Sequence, residues 1–190
     1  MSHMTKLVIG VLLWSVMHFL PALDAGFRKS LIGKLGENPY KVIFSLLMAL
    51  SIYLIISGWK ATTPELLYQA PIWGRHVTSL LVLFGFILFF APYPKNNIKR
   101  FLRHPQLTGL VCWGAGHLMS NGEARSVILF GGLVAWAVIE MLLLNRRDGP
   151  RTKPDSVPIK NDIGLFILGI AVYMIVLFNH QWLFGVSPIQ

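Results

Sequence analysis

One cysteine, eight acidic residues and no recognisable catalytic motif leave few chemistries open to this 190-residue chain. Cys112 alone allows neither an internal disulfide nor a cysteine-cage metal site. Charged residues make up 13% of the sequence, too few for an ordinary soluble surface. There is no glycine-rich nucleotide loop, no nucleophile elbow and no H-E-x-x-H pair of zinc ligands. The period-2 alternation of membrane barrel strands is missing as well.

What is present in excess is apolar sequence, 54% hydrophobic residues with a mean hydropathy of +0.59, and it comes in blocks. Six blocks are long enough to be read as membrane-crossing helices, at about 6–23, 42–59, 76–92, 105–119, 126–145 and 163–185. The fold class expected is therefore an all-α membrane protein, a bundle of about six transmembrane helices making a single domain over residues 1–190. Residues 1–3, ahead of a second methionine at Met4, read as an appended remnant, so His3 stays outside the argument. The first block competes with a cleaved signal peptide, but only Lys6 precedes it and Pro21-Ala-Leu-Asp24 is a poor cleavage site. The fourth block is short and carries Thr108, Gly109, Gly114, Gly116 and His117, a composition suited to burial among neighbouring helices.

Basic residues orient these blocks. The first, third and fifth connections hold 13 of the 17 Lys and Arg residues; the termini and the other two connections share 4. The bias alternates as six spans require, and the positive-inside rule then puts both termini outside the cytoplasm. The net charge of +9 is accounted for by this topology and by attraction to anionic lipid. Scattered over three loops without a recognition motif, it does not describe a nucleic-acid surface.

Five histidines sit on or beside the blocks. His18 and His117 lie deep, where a neutral imidazole needs a partner: an interhelical hydrogen bond or a cofactor. His76, His104 and His180 lie at helix ends, where interface residence explains them equally well. Two histidines on different helices, with no thiolate pair or acidic cluster, suit axial ligation of haem better than zinc or calcium. The bare backbone at Gly114 and Gly116 would let a flat macrocycle approach the helix beside His117. Glu140, inside the fifth block, is either paired with Arg146 by snorkelling or a polar partner for a histidine, with His104 nearest in depth. Cys112 reads as a buried inert thiol with a soft ligand as the alternative. Trp14 and Trp113 are candidates to line an apolar cavity.

The segment Arg103-His-Pro-Gln-Leu-Thr-Gly-Leu-Val-Cys-Trp-Gly-Ala-Gly-His-Leu-Met-Ser-Asn-Gly122 resembles the signature of the NnrU family. So do Met17-His18, Leu35-Gly-Glu-Asn-Pro-Tyr40, Arg75-His76, Leu129-Phe-Gly-Gly132 and Asn179-His-Gln-Trp-Leu-Phe-Gly185, all in family order. The family is linked to denitrification in bacteria and includes a plant ζ-carotene isomerase. The resemblance implies an integral protein of the bacterial inner membrane and, by analogy with the isomerase, haem b held by histidines at positions 18 and 117. It also implies a cysteine ligand exchanged on reduction, three residues before the second histidine. Gly114 stands there in this chain. Cys112 is displaced from that position by about 200° around the helix, so the exchange does not carry over.

Three readings follow. The first is a haem protein supporting nitrogen-oxide metabolism, working with a redox partner. The second is a haem-dependent cis-trans isomerase acting on an apolar polyene or related lipid. The third is a membrane assembly protein whose histidines only make hydrogen bonds. A transporter would call for an internal repeat or a pair of broken helices, and neither is evident.

Overall fold

Runs of Leu, Ile, Val and Phe form helices here because, away from water, only intrachain hydrogen bonds can satisfy the backbone. The computed structural model describes residues 2–188. In chain order its helices are α1 (His3–Leu23), α2 (Ala25–Leu35), α3 (Glu37–Ala61), α4 (Gly74–Phe90), the single turn α5 (Ile98–Phe101), α6 (Pro105–Ser120), α7 (Ala124–Asp148) and α8 (Ile159–Phe184). No strand occurs among the described residues, and the one isolated bridge joins Leu66 to Glu123.

Helix ends follow local chemistry. The Ser2 hydroxyl accepts the Thr5 N–H at 3.1 Å and opens α1. Pro105 opens α6, where its missing N–H costs nothing. Gly36, at φ +86°, turns the chain sharply from α2 into α3, a conformation that a side chain would strain. Within α7, residues Val127–Gly131 adopt a π-helical turn. The first connection is largely α2, a helix with weak apolar periodicity and three basic residues.

Four helices (α1, α3, α7 and α8) are long and apolar enough to cross a membrane, and α4 is a shorter apolar helix. Their outward faces need lipid: Ile175, Phe178 and Trp182 on α8 are 61%, 67% and 83% exposed. The protein is thus a helical membrane protein. Helix α6 has 16 residues, about 24 Å of rise, the short element that the sequence leads one to expect.

The chain divides into two units, the first made of Met1–Gln69 with Gly122–Pro150 and the second of Ala70–Asn121 with Arg151–Gln190. In the first, α1 packs on α3 and α7. A Cβ on Gly10 would lie 2.8 Å from the Ile55 backbone nitrogen, and one on Gly58 would lie 2.9 Å from the Leu7 Cα. The pairing 10 with 55 and 7 with 58 makes α1 and α3 antiparallel. Gly132 lets α7 approach Val11 in the same way, at 2.7 Å. On the side where α3 ends, the Leu67 and Tyr68 N–H groups both donate to the Gly122 carbonyl and Ala124 N–H donates to Glu65. Arg125 holds that corner. Its guanidinium donates to the carbonyls of Trp59 and Thr62, pairs with Glu123 at 2.7 Å and lies 4.1 Å over the Trp59 ring.

In the second unit α4 packs against α6 and α8. A Cβ on Gly109 would stand 2.7 Å from the Gly85 carbonyl oxygen, and one on Gly85 would stand 2.9 Å from that of Gly109. About two turns along the same seam, the Thr78 hydroxyl lies 2.6 Å from the Gly116 carbonyl and 2.5 Å from the Ser120 hydroxyl. Gly169 of α8 seats Ile87, and Ile87, Ala91 and Leu165 form the buried core. A polar clasp closes the end. Asp162, only 8% exposed, accepts from the Asn97 backbone N–H at 2.7 Å and from its amide at 2.6 Å, while Asn97 also exchanges hydrogen bonds with Val157.

Both partners at the α4–α6 crossing are backbone, so neither can yield. Gly109→Leu should destabilise the protein by about 1–3 kcal/mol or more, read as a lower thermal midpoint by circular dichroism in detergent. An unchanged midpoint would refute the close crossing.

Candidate functional site

The two deep histidines are built alike, each within its own unit. His18 follows Trp14 by one helical turn on α1, and its Nδ1 lies 2.8 Å from the Trp14 carbonyl oxygen. His117 follows Trp113 by one turn on α6, and its Nδ1 lies 2.8 Å from the Trp113 carbonyl oxygen. A carbonyl can only accept, so Nδ1 carries the proton in each neutral ring and the lone pair sits on Nε2. This is the arrangement in which proteins present imidazole to a metal, with the distal nitrogen fixed by a backbone carbonyl. The indole of the same tryptophan leans on each ring, at 4.4 Å between centroids for Trp14 and His18 and 4.9 Å for Trp113 and His117.

Around His18 the walls are aromatic. Trp136 of α7 stands edge-on at 4.9 Å and Phe44 of α3 at 6.1 Å, so all three long helices of the first unit meet at this ring. The enclosure also contains polar atoms with nothing to bond. The indole nitrogens Nε1 of Trp14 and Trp136 are buried and lack a hydrogen-bond partner, as does, one turn along α7, the Oε2 of Glu140. Such atoms are costly in an apolar interior and are where a bound polar group or ordered water is to be sought.

Glu140 is 7% exposed and one turn beyond Trp136 on the same face of α7. The alternative of snorkelling to Arg146 is not what the structure has. Arg146 is exposed, and the neighbouring Arg147 bonds Asp148 at 2.7 Å and the Pro21 carbonyl at 3.0 Å. The carboxyl stays inside, unpaired at Oε2.

The remaining candidates hold other posts. His76 is exposed in the first turn of α4. His104 is the residue before α6, and its carbonyl accepts both the N–H and the hydroxyl of Thr108, each at 2.9 Å. His180 lies in the last turns of α8, with Nδ1 2.7 Å from the Val186 carbonyl and its ring against Phe184. Gly116 turns its bare face to α4. A Cβ there would meet Leu81 at 3.2 Å and the Thr78 carbonyl at 3.3 Å. Gly114 is buried on α6. Cys112 is a half-buried free thiol, and among the described residues no group of three or more His, Cys, Asp and Glu is placed to hold a metal ion.

The profile of the family described as NnrU protein matches residues 6–188. The chain belongs to the NnrU family. Among curated proteins this NnrU-family chain is 26% identical over 156 residues to the chloroplastic 15-cis-zeta-carotene isomerase of Zea mays. The alignment takes in 70% of this chain and 41% of the maize protein, so the chain spans about two fifths of its relative's length. No solved structure matches.

Sequence reasoning named His18 and His117 but missed what orients them. The signal was there twice, as tryptophan four residues before histidine, a spacing that sets ring against ring and brings the tryptophan's own carbonyl to Nδ1. Trp136 was not legible, because the π-helical turn before it shifts the face that it occupies. Two measurements check the geometry. Nitrogen NMR of selectively labelled His18 and His117 in detergent should show a protonated Nδ1 and an unprotonated Nε2; the opposite tautomer would refute the carbonyl bonds. Glu140→Leu should raise the thermal midpoint by about 2–4 °C, since an unsatisfied buried carboxyl is removed; a fall would mean that Glu140 has a stabilising partner.

Proposed function

We propose that this NnrU-family protein is a multi-pass protein of the bacterial inner membrane that binds haem b through His18 and His117 and serves nitrogen-oxide metabolism linked to denitrification. The observation that carries the haem reading is the matched pair of tryptophan-oriented imidazoles, each with its lone pair on Nε2. Further support comes from the unpartnered indole N–H groups beside His18, which a bound group bearing acceptor atoms would satisfy. When bound, haem b would supply a one-electron iron centre whose potential depends on its ligands, their hydrogen bonds and their burial. The chain's own residues do the rest. The Trp14 and Trp113 carbonyls fix ring orientation and raise the basicity of Nε2. Trp136 and Phe44 wall His18 off from water, and Gly114 leaves the backbone bare one turn before His117. Six crossings with both termini outside the cytoplasm belong to the same reading; the alternating basic residues support it, and the short helices α4 and α6 supply the two crossings beyond the four long ones.

The similarity to the maize enzyme favours a second reading, a cis-trans isomerase of a carotenoid or similar polyene. The two diverge experimentally. Protein purified in detergent, with haem supplied during expression, is expected to show a Soret band. His18→Ala and His117→Ala should each lose most of the haem, while His76→Ala retains it. Absence of the band in the folded wild type would leave the cofactor-free assembly role. Conversion of a 15-cis-ζ-carotene by the haem-loaded protein would establish the isomerase; a haem protein that leaves the polyene unchanged and passes electrons to a redox partner fits the first reading.

A further inference from the structure

Below His18, where α1, α2 and α3 meet, the first unit has an open cavity of about 230 Å³ whose lining includes Arg28, Tyr40, Lys41 and Ser45. A narrower cleft of about 30 Å³ continues from it, sharing Pro21, Arg28, Tyr40 and Phe44 and extending along Met17, Leu20, Phe27 and Leu31. The two differ in character. The wide part offers two cations, a phenol and a hydroxyl; the narrow part is almost wholly apolar. Arg28 is held at the junction, 5.6 Å over the Tyr40 ring. A wet polar mouth leading into an apolar cleft at a helix end matches one kind of molecule, an amphiphile with an anionic head.

We propose that this cavity binds the phosphate headgroup of an anionic phospholipid, with the start of an acyl chain in the cleft between α1 and α2. Charge decides the sign of the head. Around the mouth stand Arg28 and Lys41, with Glu37 paired to Lys41 at 2.7 Å and Arg147 paired to Asp148 at 2.7 Å. Arg147 reaches the rim itself, donating to the Pro21 carbonyl. Three cations against two carboxylates leave the site positive, and Arg28 is the member held over an aromatic ring. A guanidinium and an ammonium converging on one cavity are the donors that recognise phosphate. The location agrees, because the first and fifth connections are the basic side of the membrane, where anionic lipid headgroups lie. Nothing in this assignment depends on haem. Phe44 lines both cavities and faces the His18 ring.

Native mass spectrometry of the purified protein with phosphatidylglycerol, phosphatidylcholine or inorganic phosphate tests the assignment. Wild type should retain one phosphatidylglycerol at least five-fold more than phosphatidylcholine. The Arg28→Ala, Lys41→Ala double variant should lose that preference, while Lys34→Ala, on the same helix but outside the cavity, keeps it. Leu31→Trp, which fills the cleft, should reduce lipid retention without altering competition by phosphate. Circular dichroism of each variant confirms that the helices persist, and a variant that fails it is replaced by Arg28→Gln. Equal retention by the double variant and wild type, or equal loss in Lys34→Ala, would overturn the site. Competition by inorganic phosphate with no effect of Leu31→Trp would assign the cavity to a free anion instead of a lipid.

Discussion

Close approach of helix backbones is the constraint on which the rest of this protein depends. Lipid offers no hydrophobic gain for bringing two apolar helices together, so contact must come from packing, and packing needs small residues at the crossing. Gly10 and Gly58 supply it between α1 and α3, Gly132 between α1 and α7, and Gly85 with Gly109 between α4 and α6. Side chains then take positions that only these distances permit. His18 meets Trp136 because α7 approaches α1 at Gly132 and Val11, one turn earlier on α7. The Thr78 hydroxyl reaches the Gly116 carbonyl because nothing stands between α4 and α6 at that level.

Much of this was legible in the residues and some was not, for physical reasons. The positions of the long helices follow from apolar blocks that have no other stable form in lipid, and the shortness of α6 from the end of its apolar run at Asn121. The glycines were visible but their tasks were not. Gly116 beside His117 suggests room for a cofactor, whereas Gly85 and Gly109, distant in sequence, show nothing of their mutual contact. For Glu140 the sequence offers a snorkelling pair with Arg146 or a histidine partner; its burial with Oε2 unbonded was not legible, since Arg146 stands at a plausible helical spacing and only the fold directs it outward. The helix α2 escaped because a surface helix rich in basic residues has little periodic signal, although Gly36 marks its end.

Backbone carbonyls act here as partners for side chains more often than other side chains do. Trp14 and Trp113 hold histidines, Trp59 and Thr62 hold Arg125, and Pro21 holds Arg147. The i−4 carbonyl of a helix already accepts one hydrogen bond and has a second lone pair. Using it orients a polar side chain without importing another polar group into the membrane. Arg125 shows the same economy at a helix end, where the carbonyls of α3 otherwise lack donors. One basic residue on the sparsely charged side is thereby committed to closing a helix.

The π-helical turn at Val127–Gly131 has a consequence for how this chain can vary in length. Such a turn holds one residue more than an α-helix of the same rise. Loss of one residue from the stretch would restore regular α geometry at nearly the same rise and rotation, so everything C-terminal in α7 would keep its face toward α1. Trp136 would stay against His18, and Glu140 would stay one turn beyond it. A relative shortened by one residue there would keep both its hydropathy profile and its aromatic wall, so this five-residue stretch is where α7 can absorb a change of length without disturbing the site.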